Sequence, residues 1–448
     1  MKQIFATLTA LLLFISLSGQ TTFQKSYGFY YSAFPDLVFS QDDGYLMALV
    51  SFKDKYYMSF VKTDLNGDTL WTKDVDAGLT YGSQLYGNDD QLGNIYIYTG
   101  HYKLFKFDKN ANLKWEKSLT DPIRKFFVKD NILWGCSHPY HGNYLYKFDA
   151  TTGDSLWRSQ IFNYDPEIWL NSDATSIVAT NNGNVVITIS YINPFEGFPM
   201  QTKFFLFPAN STEPVSFTFP YNKDFVVRES KSIGNDIISI ASNVGYNVDD
   251  NICYFIKYSS DGTLQTFSEK HFGYPEIGLF KLVITQQNEV VAMGNSITQT
   301  YPNLMLHCFS MNGDSLWTQF PGNTDLWAGD IKLAADGGFI LTGSHYRSSD
   351  DTPYLIKTSP LGTLNAIHEN NPLQAVVYPN PASDFITFNT PSITSGKLII
   401  MDATGKICAR KDITSNKTTW YCKFENPGVY FYQIINEKQS LTGKFVVN

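Results

Sequence analysis

The stretch Asp149-Ala150-Thr151-Thr152-Gly153-Asp154-Ser155-Leu156-Trp157 decides the fold, because versions of it return along the chain. Clear copies are DLNGDTLWTK at 64–73, DKNANLKWEK at 108–117 and MNGDSLWTQ at 311–319, and weaker copies are SSDGTLQ at 259–265 and SPLGTLN at 359–365. Their turn residues are Gly67, Ala111, Gly153, Gly262, Gly313 and Gly362, at spacings of 44, 42, 109, 51 and 49 residues. The spacing of 109 fits two units, so the period is about 49 residues, as in repeat architectures.

Each unit has the pattern of four short β-strands. In the first unit, strands are predicted at 37–40, 45–51, 57–63 and 70–75, with turns at Asp42-Asp43-Gly44 and Asn66-Gly67. Asp-Gly and Asn-Gly favour tight hairpins because Gly and Asn tolerate positive φ. Residues 22–367 hold about seven such units, which predicts an all-β protein with a β-propeller of about seven blades.

A tryptophan recurs four positions after the turn residue. It is present as Trp71, Trp115, Trp157 and Trp317. This recurrence predicts packing between blades. The segment 23–28 has a pattern like that of 71–75, and the last unit ends soon after residue 364. We therefore expect the mature N-terminus to supply the outermost strand of the final blade.

The composition favours sheet and excludes several classes of function. The 448 residues are 43% hydrophobic, 16% aromatic and 17% charged, which is unlike a disordered or coiled-coil protein. With 34 basic and 42 acidic residues the net charge is -8, the wrong sign for a nucleic-acid binder. Five cysteines are too few for a disulfide framework, although Cys408 and Cys422 could pair.

The N-terminus has the features of a cleaved export signal. Lys2 precedes an uncharged apolar run over 4–17, and small residues follow. The run is too short to span a bilayer stably, so residues 1–19 are predicted to be a signal peptide. No later segment has the character of a transmembrane helix. The predicted division is a signal peptide at 1–19, a propeller at 20–368 and a C-terminal domain at 369–448.

The C-terminal domain has alternating apolar runs over about 75 residues, which predict a small Ig-like β-sandwich. Four motifs are Tyr378-Pro379-Asn380-Pro381, Gly405-Lys406, Gly428-Val429-Tyr430 and the closing Lys444-Phe445-Val446-Val447. Together they resemble the type A C-terminal sorting domain of type IX secretion substrates. The resemblance implies export to the outer-membrane surface or the medium. It also implies the type IX machinery and its sortase as partners, with surface lipopolysaccharide as a further possible attachment partner.

The repeats themselves resemble those of quinoprotein-type and WD-like propellers, most closely at 149–157. That resemblance concerns architecture only, because the cofactor-site pattern of the quinoproteins is missing from the sequence. No cofactor is predicted. The segment Asp64–Asp68 is similar to part of a calcium loop, but its Gly is at the fourth place instead of the sixth and the bidentate Glu is missing. A turn is predicted there, and no metal site.

A ligand site is predicted on the face that carries the second-to-third strand loops and the connections between blades. These loops lengthen in later blades, at 192–200, 244–251, 297–303 and 345–353, and variable loops on a rigid scaffold often carry function. Aromatic planes beside carboxylates suit sugars. The candidate residues are Tyr164, Asp165, Glu167, Trp169, Tyr274, Glu276, Asp325, Trp327 and Asp330.

A group of histidines could be interpreted as a metal site, but their spacing favours histidines that are exposed to solvent in loops. His138 and His141 lie three positions apart in a loop that contains a proline, with His101 and His345 at comparable positions in other blades. Such a loop has no defined ligand geometry.

Three functions remain open. The favoured one is a binding or adhesion module for a glycan, peptide or envelope partner. The second is a hydrolase or lyase that uses carboxylates such as Glu167 and Asp330 at the channel mouth, and the third is a structural scaffold. Paired carboxylates about 5 to 10 Å apart in one pocket would favour an enzyme.

Overall fold

The computed structural model describes eighteen ranges of the chain. Every regular element of secondary structure in these ranges is a β-strand. The ranges are 22–28, 35–90, 92–100, 102–137, 144–161, 173–192, 200–209, 211–218, 225–243, 252–272, 276–298, 301–322, 325–345, 352–364, 376–390, 394–423, 425–435 and 440–448. In this part of the chain, no helix has the length and apolar character needed to cross a membrane.

Seven four-stranded antiparallel sheets, here called blades 1 to 7, occupy the described residues between 22 and 364. Blade 1 consists of β2 (Pro35–Gln41), β3 (Gly44–Phe52), β4 (Tyr56–Thr63) and β5 (Thr69–Leu79), and blade 2 of β6 (Leu85–Asp89), β7 (Ile95–Thr99), β8 (Lys103–Phe107) and β9 (Leu113–Ser118). Blade 3 consists of β10 (Ile123–Lys129), β11 (Ile132–Ser137), β12 (Tyr144–Asp149) and β13 (Ser155–Gln160), and blade 4 of β14 (Asp173–Ala179), β15 (Val185–Ile192), β16 (Met200–Phe207) and β17 (Val215–Phe217). Blade 5 consists of β18 (Val226–Ile233), β19 (Asp236–Ser242), β20 (Ile252–Ser259) and β21 (Leu264–His271), and blade 6 of β22 (Glu276–Ile284), β23 (Val290–Thr298), β24 (Tyr301–Phe309) and β25 (Ser315–Gln319). Blade 7 consists of β26 (Leu326–Leu333), β27 (Phe339–His345), β28 (Pro353–Lys357) and, at its outer edge, β1 (Phe23–Ser26).

The seven sheets form a closed ring. The first strand of each blade, β2, β6, β10, β14, β18, β22 and β26, contacts the first strand of the next blade, and β26 contacts β2. These innermost strands surround a central channel. The ring confirms the predicted all-β propeller with seven blades, including the degenerate unit that the spacing of 109 residues required.

Seven separate apolar clusters hold the ring together, one between each pair of neighbouring blades. The repeated tryptophans belong to them: Trp71 packs between blades 1 and 2, Trp115 between 2 and 3, Trp157 between 3 and 4, and Trp317 between 6 and 7. In blade 4, whose repeat is degenerate, Phe217 takes this position. The prediction that these aromatic side chains pack between blades is therefore confirmed.

The turn residue of one blade lies against the outer-strand aromatic ring of the blade before it. A Cβ added at Gly153 would meet Trp115 at 3.0 Å, and one added at Gly362 would meet Trp317 at 3.0 Å. Gly153 and Gly362 have φ of 75° and 72°, so both space and backbone conformation favour glycine. Ala111 occupies the same turn of blade 2 with φ of 55° and is fully buried.

The N-terminal strand closes the ring, as predicted. Strand β1 pairs antiparallel with β28, with Phe23 opposite Lys357 and Ser26 opposite Tyr354. Phe23 takes the place of the repeated tryptophan and packs in the cluster between blades 7 and 1. The Tyr27 hydroxyl, just beyond the strand, donates to the Gly67 carbonyl at 2.7 Å. Blade 7 is thus completed by β1, a strand from the N-terminal end of the propeller segment.

The C-terminal residues form a separate β-sandwich. One sheet has three strands, β29 (Val376–Tyr378), β30 (Phe385–Asn389) and β33 (Lys417–Tyr421). The other has four, in the order β32 (Ile407–Ile413), β31 (Gly396–Asp402), β34 (Gly428–Ile435) and β35 (Ser440–Val447). Both sheets contribute to one apolar core, in which Phe388 and Trp420 meet Phe445. None of the five cysteines, all of which lie in the described ranges, forms a disulfide bond, so Cys408 and Cys422 are not joined to each other.

We predict that deletion of residues 22–28 lowers the thermal midpoint of the mature protein by about 5 °C or more, because it removes the pairing of β1 and opens one inter-blade cluster. Circular dichroism during heating measures the change. The control is Lys25→Ala in the same strand, which removes a partly exposed ion pair with Asp68 and a cation–π contact with Phe23 and should cost about 1 kcal/mol or less. Equal midpoints for the deletion and the wild type would contradict the closure.

Candidate functional site

The predicted ligand residues divide into those that the structure describes and those that it does not. Tyr164, Asp165, Glu167, Trp169 and Tyr274 lie outside the described residues, as do His101, His138 and His141. The backbone of Glu276 begins β22 and pairs with Ile297. Asp325, Trp327 and Asp330 are described, all at or near β26 of blade 7.

Asp325 and Trp327 lie at one end of blade 7, on the face with the second-to-third strand loops, here called the loop face. Both are half-buried. The backbone around Trp327 is fixed from blade 6, where the Asn295 side chain donates to the Leu326 carbonyl at 2.8 Å and accepts from the Ala328 N–H at 3.1 Å. The indole is therefore held on rigid backbone at the edge of this face.

His345 joins the same end of blade 7. Its Nε2 is 3.1 Å from the Ser26 hydroxyl of the closing strand, and its ring meets Tyr354 edge-on at 5.9 Å. Burial lowers the pKa of the His345 ring, and the negative charge of Asp325 opposes that shift only in part. The ring is consequently neutral at pH 7. The structure thus brings the Asp325 carboxylate near a neutral imidazole. Trp327 lies at the same end of the blade but on the opposite side of the sheet, because Trp327 pairs with Ser344 and His345 pairs with Leu326.

Strand pairing extends into one of the predicted long loops. Strand β23 ends at Thr298 and β24 begins at Tyr301, and these two residues pair directly. The prediction of a loop over 297–303 is therefore wrong. β-Branched and aromatic residues suit a pleated strand, and here they extend the ladder to the end of the hairpin.

Asp330 has a structural position in the channel wall. The residue is only 5% exposed, and its Oδ2 accepts a hydrogen bond from the Val38 N–H of blade 1 at 3.3 Å. Its Oδ1 is 3.6 Å from Lys281 Nζ of blade 6. A carboxylate bonded in this way joins three neighbouring blades. These contacts give Asp330 a structural role in the ring that does not depend on catalysis.

Glu229 repeats this arrangement between blades 5 and 6. Its Oε2 accepts from the Leu282 N–H at 2.9 Å. Burial alone would raise the pKa of this carboxyl, but nearby ammonium groups and the Leu282 amide outweigh burial and lower the pKa of Glu229 to about 2. The ammonium groups belong to Lys231, Lys281 and Lys125. Both carboxylates therefore bond to an otherwise unpaired N–H on the innermost strand of the following blade.

Local bulges direct these side chains. Among the described innermost strands, the ladder to the second strand shifts register in β2, β10, β14, β18, β22 and β26. In β18 the shift lies between Val227 and Glu229, and in β26 between Ala328 and Ile331. A bulge adds a residue to one strand and re-aims side chains, which brings Glu229 and Asp330 to the next blade.

The channel lysines are the residues that sequence reasoning missed. Lys332 Nζ lies 3.7 Å from Asp89 of blade 2 and 4.0 Å from Asp330. Burial would lower the pKa of Lys332, but the surrounding carboxylates outweigh burial and raise it. A cavity of about 320 Å³ lies at this end of the channel, opposite the loop face, with Ser40 and Asp42 beside Asp89 and Lys332. Charged residues inside otherwise apolar first strands were the available signal.

The described residues provide no assembled metal site. None of their His, Cys, Asp and Glu side chains form a group of three or more that could hold a metal ion. The segment that is similar to a calcium loop is a hydrogen-bonded turn, in which Asp64 Oδ1 accepts from the N–H groups of Asn66 at 2.9 Å and Asp68 at 2.8 Å.

The motif residues of the C-terminal sandwich stabilise its own fold. Asn380 Oδ1 accepts from the Val446 N–H at 2.9 Å, and the Ala382 N–H donates to the Val446 carbonyl at 2.8 Å. Tyr378-Pro379-Asn380-Pro381 therefore binds the last strand. Gly405, with φ of 84°, and Lys406 form the turn closed by Asp402.

Tyr430 belongs to the buried side of the same sandwich. Its ring stacks on Phe445 at 5.7 Å, and its hydroxyl donates to the Asn426 carbonyl at 2.8 Å. Gly428 begins β34, and Lys444 is exposed, opposite Phe431. Of the predicted motif residues, Lys444 is thus the one whose charge faces outward from a strand.

The sandwich is a sorting domain of a protein secretion system. Residues 376–448 match the family described as "Secretion system C-terminal sorting domain". This domain marks type IX secretion substrates, which are secreted or attached to the cell surface, so the chain is an exported protein that interacts with the secretion machinery. The predicted recognition of the sorting domain, the export route and the extracellular location are confirmed. Comparison with the curated proteins finds no match.

Solved structures similar to this chain include three with low sequence identity. BamB from Moraxella catarrhalis is 11% identical, with a TM-score of 0.42, covering 75% of this chain and all of BamB. The Dos1 propeller is 12% identical, with a TM-score of 0.46, covering 76% of this chain and 96% of that one. Kuenenia stuttgartiensis hydrazine synthase is 10% identical, with a TM-score of 0.43, covering 57% and 72% respectively. The propeller assignment rests on the seven sheets of the chain itself.

We predict that Glu229→Gln destabilises the protein by about 3 kcal/mol at pH 7, because the charged form is favoured in the folded state. A carboxyl whose folded pKa is lowered from 4.5 to about 2 stabilises fully above pH 4.5 and loses this contribution as the pH falls toward 2. The difference between variant and wild type should therefore shrink below pH 4.5. Urea unfolding at pH 7, 4 and 3 measures it.

The matched control for this prediction is Glu116→Gln. Glu116 is paired with Lys103 on the outer strand of blade 2, where it is partly exposed, and its loss should cost less than about 1 kcal/mol. A destabilisation by Glu229→Gln that stays constant from pH 7 to pH 3 would contradict the electrostatic account.

Proposed function

We propose that this exported protein is an extracellular binding module that recognises a glycan, peptide or envelope partner through the loop face of its propeller. One observation carries the proposal: Trp327, Asp325 and His345 lie at the same end of blade 7, next to the junction where β1 closes the ring. An amphipathic aromatic ring beside hydrogen-bonding groups suits sugar or peptide recognition. We also propose the domain limits of 20–368 for the propeller and 369–448 for the sorting domain.

Rigidity supports a binding role for this end of blade 7. The Tyr354 hydroxyl donates to the Trp327 carbonyl at 2.7 Å, and Asn295 fixes the residues on either side. A ligand that meets the Trp327 indole therefore loses little free energy to ordering the backbone that carries it. Site residues that packing already holds in place favour recognition of a ligand without large rearrangement.

The hydrolase or lyase alternative requires an available carboxylate pair. Asp330 is engaged by Val38 and lies near Lys281, which leaves it poorly suited to act as an acid or base. A binding function is therefore the better-supported proposal. The scaffold alternative predicts that substitutions at Trp327 have no effect on recognition, and the same experiment separates it from the binding module.

We predict that Trp327→Ala and Asp325→Asn each weaken binding of the propeller's ligand at least about tenfold, since aromatic anchors contribute much of the energy of an interface. Purified mature protein is first screened on arrays of glycans and peptides. The affinity for each hit is then measured by titration calorimetry, and the bound material is examined for reaction products.

Leu361→Ala is the matched control for these variants. Leu361 is 64% exposed in the turn that follows β28 of blade 7, at the end opposite the loop face. Its substitution should leave affinity unchanged. Hits that bind the Trp327 and Asp325 variants as tightly as the wild type would refute the loop-face site, and products released from a hit would favour the enzyme alternative.

A further inference from the structure

The outward side of the four-stranded sheet in the sorting domain is apolar. Alternate residues of its strands point into the core, and the remaining positions include large hydrophobic side chains. We call this surface the sorting face, and it is formed by Ile399, Met401, Ile407, Val429, Phe431 and Val446. Val429 is 43% exposed and Phe431 42% exposed, whereas Tyr430 between them is buried.

These side chains are neighbours across the sheet. Met401 is opposite Ile407 on one side and Phe431 on the other, and Val429 is opposite Val446. The apolar positions therefore form one continuous patch across all four strands. Monomeric proteins rarely expose such a patch without a partner for it.

Basic residues border the patch. Arg410 is opposite Ile399, Lys397 is opposite Ile435, and Lys444 is opposite Phe431, while Asp412 is the acidic residue opposite Lys397. The whole segment 376–448 has eight basic and five acidic residues, a net charge of +3, whereas the chain totals -8. The remaining residues therefore carry -11. The positive charge at this sheet stands out from an otherwise acidic chain.

Several motif residues of the sorting domain serve its own fold, whereas the motif residues Val429, Lys444 and Val446 point outward at the sorting face. Asn380 and Ala382 bind the last strand, Gly405 closes a turn, and Tyr430 packs in the core. Side chains used in this way stabilise the sandwich and offer little to a partner. A machinery that selects this domain must contact exposed groups.

We propose that the sorting face is the docking surface for a protein component of the type IX secretion machinery, one whose apolar contact area is bordered by carboxylates. An apolar centre with a charged border is the usual anatomy of a protein interface. Complementary charge at the border would speed encounter and select the correct partner. The inference rests on the sorting domain and is independent of the ligand of the propeller.

The test follows export of the full chain in a host with a working type IX system. Val429→Thr combined with Phe431→Thr removes apolar area from the sorting face and keeps β-branched residues in the strand. Arg410→Glu combined with Lys444→Glu reverses the border charge. We expect each pair to reduce the protein found outside the cell at least tenfold, with accumulation in the periplasm. The thermal midpoint of the purified protein should stay within about 2 °C of wild type.

Matched controls come from the three-stranded sheet. Phe385 and Tyr421 are 44% and 75% exposed there, with ring centres 6.4 Å apart, and Phe385→Thr with Tyr421→Thr removes a comparable apolar area. Lys417→Glu with Lys423→Glu is the control for charge. Normal export of both controls, with loss of export in both sorting-face pairs, supports the proposal. Normal export of the sorting-face pairs, or equal loss in the controls, overturns it.

A second measurement separates a protein partner from a lipid surface. Purified full chain is mixed with vesicles of neutral and of anionic phospholipid and separated by flotation. No flotation of the wild type is expected. Flotation with anionic vesicles that the sorting-face substitutions abolish would overturn the commitment to a protein partner. Binding of the propeller's ligand should be unchanged in all these variants, so failure of this proposal and failure of the proposed function are distinguishable.

Discussion

The ring depends on the contact between an aromatic side chain on the outer strand of one blade and the turn at positive φ in the next. Trp115 against Gly153 and Trp317 against Gly362 are the clearest cases, and Phe23 against Gly67 closes the circle. A four-stranded sheet alone would expose two apolar faces to water. Contacts of this type hide each face against a neighbour, so that no blade is stable by itself and the whole ring is the folding unit.

The channel adds a second, electrostatic constraint. An innermost strand has no further strand on its channel side, so the N–H groups that point to that side have no partner in the ladder of their own blade. Glu229 and Asp330 each accept one such N–H from the following blade, and lysines near them balance the buried charge. Acidic residues in the channel of a propeller invite a catalytic interpretation. Their hydrogen bonds explain them here as links between blades, and the ligand site is better sought at the loop face.

The sorting domain separates the residues that build a fold from those available to a partner. Asn380 and Tyr430 are recognisable in the sequence because the sandwich needs them at fixed places. The fold places no such requirement on the outward apolar side chains of the four-stranded sheet, although Val429 and Val446 fall within the quoted motifs. Sequence patterns identified the domain through its internal constraints, while the outward apolar surface that we propose as a docking face became visible only when alternate residues were assigned to opposite sides of a strand.

The sequence by itself determined the repeat, the four strands of each unit, the inter-blade tryptophans, the closing strand and the sorting domain. These follow from the repeat period and from local signals, namely turn residues and the alternation of apolar residues, which act over a few residues. The tertiary structure alone decided that Asp330 links blades, that Lys332 lies near Asp89, and that β23 and β24 stay paired as far as Thr298 and Tyr301. Such facts depend on register shifts and on which strands become neighbours around the ring, and residues far apart in the chain set both.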